Sequence, residues 1–191
     1  MRPSTTMYYI IEPREPEDPE APEIASFSYD RDIQDRSWFR GVRFDNPPPD
    51  LVHITTQGGD LPDLSEVPLP LVSKRLAKTL EFAGVSNIDY YPAEIHNEST
   101  GESYRNHLAF NLIGLIAAAD FSTSSFDAPE GPLISVDFDS LVIDEKKTLG
   151  VPMFRLAECV TAIVVHESVM KAIEAAGIDT LVFIPPEEWV G

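Results

Sequence analysis

Two stretches of this chain, offset by 93 residues, are written in the same grammar. Residues 71–95 read LVSKRLAKTLEFAGVSNIDYYPAEI, and residues 164–188 read VVHESVMKAIEAAGIDTLVFIPPEE. They agree at Val72/Val165, Lys78/Lys171, Glu81/Glu174, Ala83/Ala176, Gly84/Gly177, Pro92/Pro185 and Glu94/Glu187. Like residues stand at Leu76/Val169, Leu80/Ile173, Val85/Ile178, Ile88/Leu181 and Tyr90/Phe183. Each copy predicts strand, helix, strand. In the first, Ser73 is a good N-cap, and Leu76, Ala77, Leu80 and Ala83 keep helical spacing with Lys74, Arg75, Lys78 and Glu81 on the other side. Gly84 sits where a left-handed residue stops the helix, and Ile88–Tyr91 reads as a strand ended at Pro92. In the second, Ile163–Val165 is a strand and His166 or Glu167 opens the helix. Val169, Met170, Ile173 and Ala176 form its inner face; Gly177 stops it, and Thr180–Ile184 is a strand ended by Pro185 and Pro186. Neither copy holds a nucleophile–base pair, a metal cluster or a phosphate loop. The repeat therefore speaks to scaffold, not to chemistry.

Around the repeat, Met7–Ile11 is aromatic and β-branched and predicts a first strand, with Met1 and Met7 both standing as start sites. Residues 12–23, EPREPEDPEAPE, hold four prolines and six acids and read as an exposed, semi-extended loop. Leu51–Thr56 predicts a strand, and Leu61–Pro70, with three prolines, an irregular segment. Tyr104–Asp120 fits two templates: a helix through Leu108, Leu112, Leu115 and Ala119, or a buried strand. Ile134–Ile143 alternates as a strand does, and Pro152–Leu156 reads as another. The expectation is an α+β fold of mixed or antiparallel sheets carrying two similar strand–helix–strand units. Seven or eight strands and two to four helices would form one domain over residues 1–191, or two small joined lobes.

Charge narrows the partners. The chain has 32 acidic and 14 basic residues, a formal net charge of −18. Such a surface repels a phosphate backbone, which argues against nucleic acid, and it favours capture of a basic partner. An acidic protein without any charged partner has the same composition. The single cysteine, Cys159, allows no intramolecular disulfide and reads as a buried, inert thiol. The longest apolar stretch, Leu108–Ala119, is broken by Asn111 and too short to cross a bilayer, and the N-terminus has no signal-peptide core. A soluble, cytoplasmic protein with no membrane contact is expected.

Two arrangements could carry chemistry. Asp137-Phe138-Asp139 has the aspartate spacing of a divalent-metal site, and the same spacing arises on the solvated face of any alternating strand. Cys159 and His166 would make a nucleophile–base dyad if separate elements brought them together. The remaining histidines, His53, His96 and His107, form no paired spacing, and Glu94, Glu187 and Glu188 read as surface acids. No metal and no cofactor are expected. Trp38 and Phe39 lie in a mixed-charge segment, where aromatics serve as interface anchors or as core anchors; core is the stronger reading. The candidate partner-binding residues are Glu15, Glu17, Asp18, Asp30, Asp32, Asp35 and Trp38.

Several segments carry a resemblance: the Met-Tyr-Tyr-Ile opening (Met7–Ile10), Leu71-Val-Ser-Lys-Arg-Leu76 with Leu80-Glu81 and Ala83-Gly84, and Asn111-Leu-Ile with Ala119-Asp120. Met153-Phe-Arg-Leu156 and the closing Ile163-Val-Val165, Ile173, Ala176–Ile178 and Phe183 complete it. In this order they resemble the bacterial polymorphic-toxin immunity proteins of group eleven, a domain named after a myxobacterial protein. The resemblance implies an antidote that binds a cognate protein toxin encoded at the same locus and blocks it sterically, and it carries over no catalytic residues. Two rivals stand beside it: a hydrolase or transferase using Asp137/Asp139 or Cys159/His166, and an interaction adaptor with no toxin.

Overall fold

The computed structural model describes residues 7–14, 26–27 (main chain), 38–48, 51–58, 61–66, 69–127 and 135–191. The fold is α+β, with sheet predominating. In chain order the strands are β1 (Tyr8–Pro13), β2 (Ser26–Phe27), β3 (Val52–Thr56), β4 (Leu64–Ser65), β5 (Leu71–Ser73), β6 (Ile88–Asn97) and β7 (Glu102–Tyr104). They continue with β8 (His107–Leu112), β9 (Leu115–Ile116), β10 (Ser125–Asp127), β11 (Asp137–Ser140), β12 (Met153–Leu156), β13 (Ile163–His166) and β14 (Leu181–Ile184). Helix α1 spans Lys74–Phe82 and α2 spans Glu167–Ala175; a 3-10 turn, Pro186–Glu188, follows β14. The strands exceed the expected seven or eight because several, such as β2, β4 and β9, are two-residue pieces too short for a periodicity to register. Among the described residues no helix is long and apolar enough to cross a membrane.

One sheet has the order β2-β3-β6-β8-β5-β4, with β7 also on β6; a second has the order β14-β1-β13-β12-β9; β10 and β11 form a separate ribbon. The repeat is visible in this topology, and it is larger than the sequence similarity. In the first copy β5 and β6 both run antiparallel to β8, which lies between them. In the second, β13 and β14 both run antiparallel to β1, which lies between them. Each helix thus connects two parallel strands across a central strand of opposite direction. A preceding antiparallel strand flanks each unit, β4 on β5 and β12 on β13. The units β4-β5-β8-β6 and β12-β13-β1-β14 are equivalent, but their central strands enter differently. The first unit's follows it in sequence, whereas the second unit's is the first strand of the chain. The second unit is therefore a circular permutation of the first in chain order.

The repeated apolar positions explain why the pattern is kept. Val72, Leu76, Leu80, Val85, Ile88 and Tyr90 pack in one central core with their counterparts Val165, Val169, Ile173, Ile178, Leu181 and Phe183. The two helices touch each other there. Strand alternation sends the other side chains outward. Tyr9 and Ile11 of β1 face the central core, while Tyr8 and Ile10 join a second core with Phe154, Leu156 and Val164. On the first sheet, Leu71, Ala93, Ile95 and Ala109 face a third core under Trp38. The central core is tight, with a void of only about 10 Å³.

Both helices begin and end by the same local rules. Ser73 Oγ accepts from the Leu76 N–H at 3.1 Å, and His166 Nδ1 accepts from the Ser168 N–H at 3.1 Å. At the other end Gly84 (φ +87°) and Gly177 (φ +68°) adopt the left-handed conformation. Their N–H groups donate to Glu81 and Glu174 carbonyls, and those of Val85 and Ile178 reach back to Leu80 and Ile173. Both stops are Schellman motifs, which also brings Val85 onto Leu80 and Ile178 onto Ile173 in the core.

Several expectations change. β6 does not end at Pro92 but continues to Asn97. Pairing with β3 starts only at Ala93, so the proline ring occupies a side with no ladder bond to lose. The register also slips by one residue between Pro92/Leu108 and Ile95/Tyr104. β1 runs on to Pro13, two residues into the segment expected to be a loop, because β14 pairs with it there; residues 15–23 lie outside the described residues. Tyr104–Asp120 is strand, not helix: β8 is covered on both faces, so its apolar residues run almost continuously. Within Leu61–Pro70, expected to be irregular, β4 pairs with β5. Among the described residues of Ile134–Ile143, which begin at Ser135, Asp137–Ser140 is strand, with isolated bridges at Ser135 and Ile143.

Candidate functional site

The polar groups most carefully placed in the fold lie along the seam between the two units. Asp63, in the segment before β4, is 4% exposed. Its carboxylate accepts from Ser73 Oγ, from the Arg75 guanidinium (Nε at 2.6 Å), and from Thr180 Oγ1 at 2.6 Å. Ser73 and Arg75 open α1 of the first unit; Thr180 precedes β14 of the second. Burial by itself would raise the Asp63 pKa, but the hydrogen bonds from Arg75, Ser73 and Thr180, with the Arg75 charge, outweigh it and hold the group at about 2. Asp63 is thus an ionised tie between the repeats.

A second tie uses Arg155 of β12, whose side chain is fully buried. Its guanidinium donates to Glu66 Oε1 at 2.5 Å and to the Val160 carbonyl at 3.0 Å, and lies 4.7 Å from the centre of the Phe39 ring. Desolvation raises the Glu66 pKa, and Arg155 opposes that rise. Glu66 also lines a cleft of about 450 Å³ between β1, β4 and the C-terminal turn, with Ile10, Glu12, Leu64 and Trp189. Trp189 Nε1 donates to Glu12 Oε1 at 2.6 Å. A further buried acid, Glu158, accepts the Ala119 N–H at 3.3 Å through Oε1, while Oε2 has no partner among the described residues. Desolvation dominates there and raises its pKa.

The arrangements considered for catalysis are not assembled. Asp137 and Asp139 are exposed, on either side of buried Phe138, and Asp139 meets Ser125 Oγ at 3.3 Å. Among the described residues no three His, Cys, Asp or Glu side chains cluster as metal ligands. Cys159 is 8% exposed, and its sulfur is 3.3 Å from Thr161 Oγ1. It lies before β13, whereas His166 ends that strand and is committed to capping α2. His107 is buried between Asn106 and Pro62, and His96 contacts Ser103. Glu94 is paired with Arg105 at 2.8 Å and His53 at 3.3 Å, while Glu187 and Glu188 are exposed.

Trp38 is 4% exposed and packs edge-on against Phe44 and Tyr91, 4.9 and 5.7 Å between ring centres. It is a core anchor of the first sheet's outer face. Glu15, Glu17, Asp18, Asp30, Asp32 and Asp35 lie outside the described residues. Sequence reasoning overlooked Asp63, Glu66, Arg155 and Glu158, because charged residues default to the surface. The one available signal was Arg155 in the otherwise apolar run Pro152–Leu156.

No curated protein matches this chain. A family model, the immunity protein family (Imm11), matches residues 4–188, nearly all of its length. The chain belongs to the Imm11 immunity protein family.

Proposed function

We propose that this protein binds a cognate bacterial toxin, encoded beside it, and neutralises the toxin by covering its working surface. The family match over residues 4–188 carries this reading. The net charge of −18 supports it by favouring rapid encounter with a basic toxin. The proposed contact residues are the acids Glu15, Glu17, Asp18, Asp30, Asp32 and Asp35, together with Trp38. The protein acts in the cytoplasm, as one unit over 1–191, and stoichiometrically rather than by turnover. The test is to induce the neighbouring toxin gene in a bacterial host with and without this protein. Survival together with an isolable complex is expected. Undiminished killing with no complex overturns the proposal.

A further inference from the structure

Strand β14 ends the second sheet, and among the described residues no strand lies on its other side. The two units differ at this point. In the first, β6 runs on beyond the repeat and carries β3 along Ala93–Asn97. In the second, the chain turns at Pro186–Glu188, and no described strand lies on the corresponding side. Which main-chain groups face outward follows from the register. The Arg14 N–H donates to the Thr180 carbonyl at 2.8 Å, in step with the β1–β14 pairs Glu12/Val182 and Ile10/Ile184. In an antiparallel ladder the groups alternate sides, so Val182 and Ile184 bond to β1 while Leu181 and Phe183 point their N–H and C=O to the open side.

That side is partly guarded. The Arg14 guanidinium donates to the Asp179 carbonyl at 2.8 Å and lies 3.4 Å from that of Leu181. Among the described residues nothing pairs with the Leu181 N–H or with either main-chain group of Phe183. A groove of about 690 Å³ runs alongside, with Met170 and Phe183 as its apolar part and, among the described residues, Glu174 and Asp179 against the single cation Arg14, whose guanidinium is already held by the two carbonyls. Both acids are exposed. A second copy of this chain would bring the same acids, and another net charge of −18, against them. The charge fits a basic strand instead.

We propose that the open edge of β14 and the adjoining α2 groove receive a β-strand of a partner protein that carries apolar and lysine or arginine side chains in turn along the one face it presents to α2. An apolar side chain sits on Met170 and Phe183, and a basic one, two residues on, meets Glu174, one helical turn from Met170. This deepens the proposed function by naming where and how the toxin is gripped, and it rests on that reading for the partner's identity.

Amide exchange measured by NMR on the isotope-labelled protein tests it, with two probes: the toxin domain from the neighbouring gene, and a short peptide repeating Val-Thr-Lys-Thr, which carries valine and lysine on one face. With either probe bound, the Leu181 and Phe183 amides should slow at least roughly tenfold, while Val182 and Ile184, already bonded to β1, stay unchanged. Phe183→Pro, which removes the outward N–H, should bind about tenfold more weakly than Phe183→Ala, which keeps it. If the toxin domain binds and the Leu181 and Phe183 amides do not slow, the edge is not the grip, and the immunity reading survives. If the toxin domain does not bind, the immunity reading fails, and the peptide decides the edge. Slowing at Leu181 and Phe183 supports a strand acceptor; no slowing overturns it.

Discussion

Replacing Asp63 with asparagine isolates the worth of an ionised carboxylate at the junction of the two units. Asp63→Asn keeps the shape and removes the charge. The native carboxyl is held at about 2 against an ordinary 3.8, and the group is 4% exposed, so little of that interaction is lost to solvent. At about 1.36 kcal/mol per pH decade, the difference is worth about 2.5 kcal/mol near neutrality. The sign follows from the direction of the shift. A depressed folded pKa contributes stability that is present above the unfolded pKa and is lost as pH falls toward the folded one. The gap between native and Asp63→Asn proteins should therefore be about 2.5 kcal/mol at pH 6. By pH 2.5 it should shrink to about 1 kcal/mol. Urea unfolding at a series of pH values reads this directly, because the other acids titrate in both proteins and cancel. A gap that stays constant over this range, or a variant as stable as the native protein at pH 6, would refute the reasoning.

Other perturbations separate the remaining terms. Glu158→Gln should behave oppositely to Asp63→Asn: burial raises the Glu158 pKa, so its ionised form burdens the fold, and the variant should unfold at higher urea at pH 7 with the advantage gone below about pH 4. Arg155→Met leaves the half-buried Glu66 without its partner and should cost about 3 kcal/mol in urea melts, while adding Glu66→Gln should recover a large part of that. Gly84→Ala and Gly177→Ala should each cost about 1 kcal/mol, from the left-handed backbone alone, since an added Cβ at either meets nothing within 4 Å. Cys159→Ala and the pair Asp137→Asn/Asp139→Asn should protect cells against the toxin as well as the native protein does; loss of protection by stably folded variants would revive the enzyme reading.

What was legible in the sequence was what local chemistry writes. Ser73, the apolar face Leu76/Ala77/Leu80 and the stop at Gly84 specify a helix within a few residues of one another, and the second copy repeats the specification. The central strands were not legible as part of the repeat, because β8 follows its unit and β1 precedes its own by most of the chain; only the sheet shows that they correspond. The strand β8 was ambiguous because burial on both faces erases period two. Pro92 reads as a stop, yet tolerance of proline depends on whether the neighbouring strand needs its N–H, a fact of pairing. The buried charges Asp63 and Arg155 were invisible for a similar reason: each is tolerated through partners in other elements, among them Thr180 for Asp63 and Glu66 for Arg155. The core reading of Trp38 holds because Phe44 and Tyr91 enclose its ring.

Stoichiometry tests the central claim most directly. The toxin's activity should be measured as this protein is added in increasing molar ratio. Neutralisation by covering predicts a linear fall that reaches zero at about one equivalent, with the midpoint moving to higher ratios as salt is raised. Full inactivation at a small fraction of an equivalent, or undiminished activity at large excess, would contradict it.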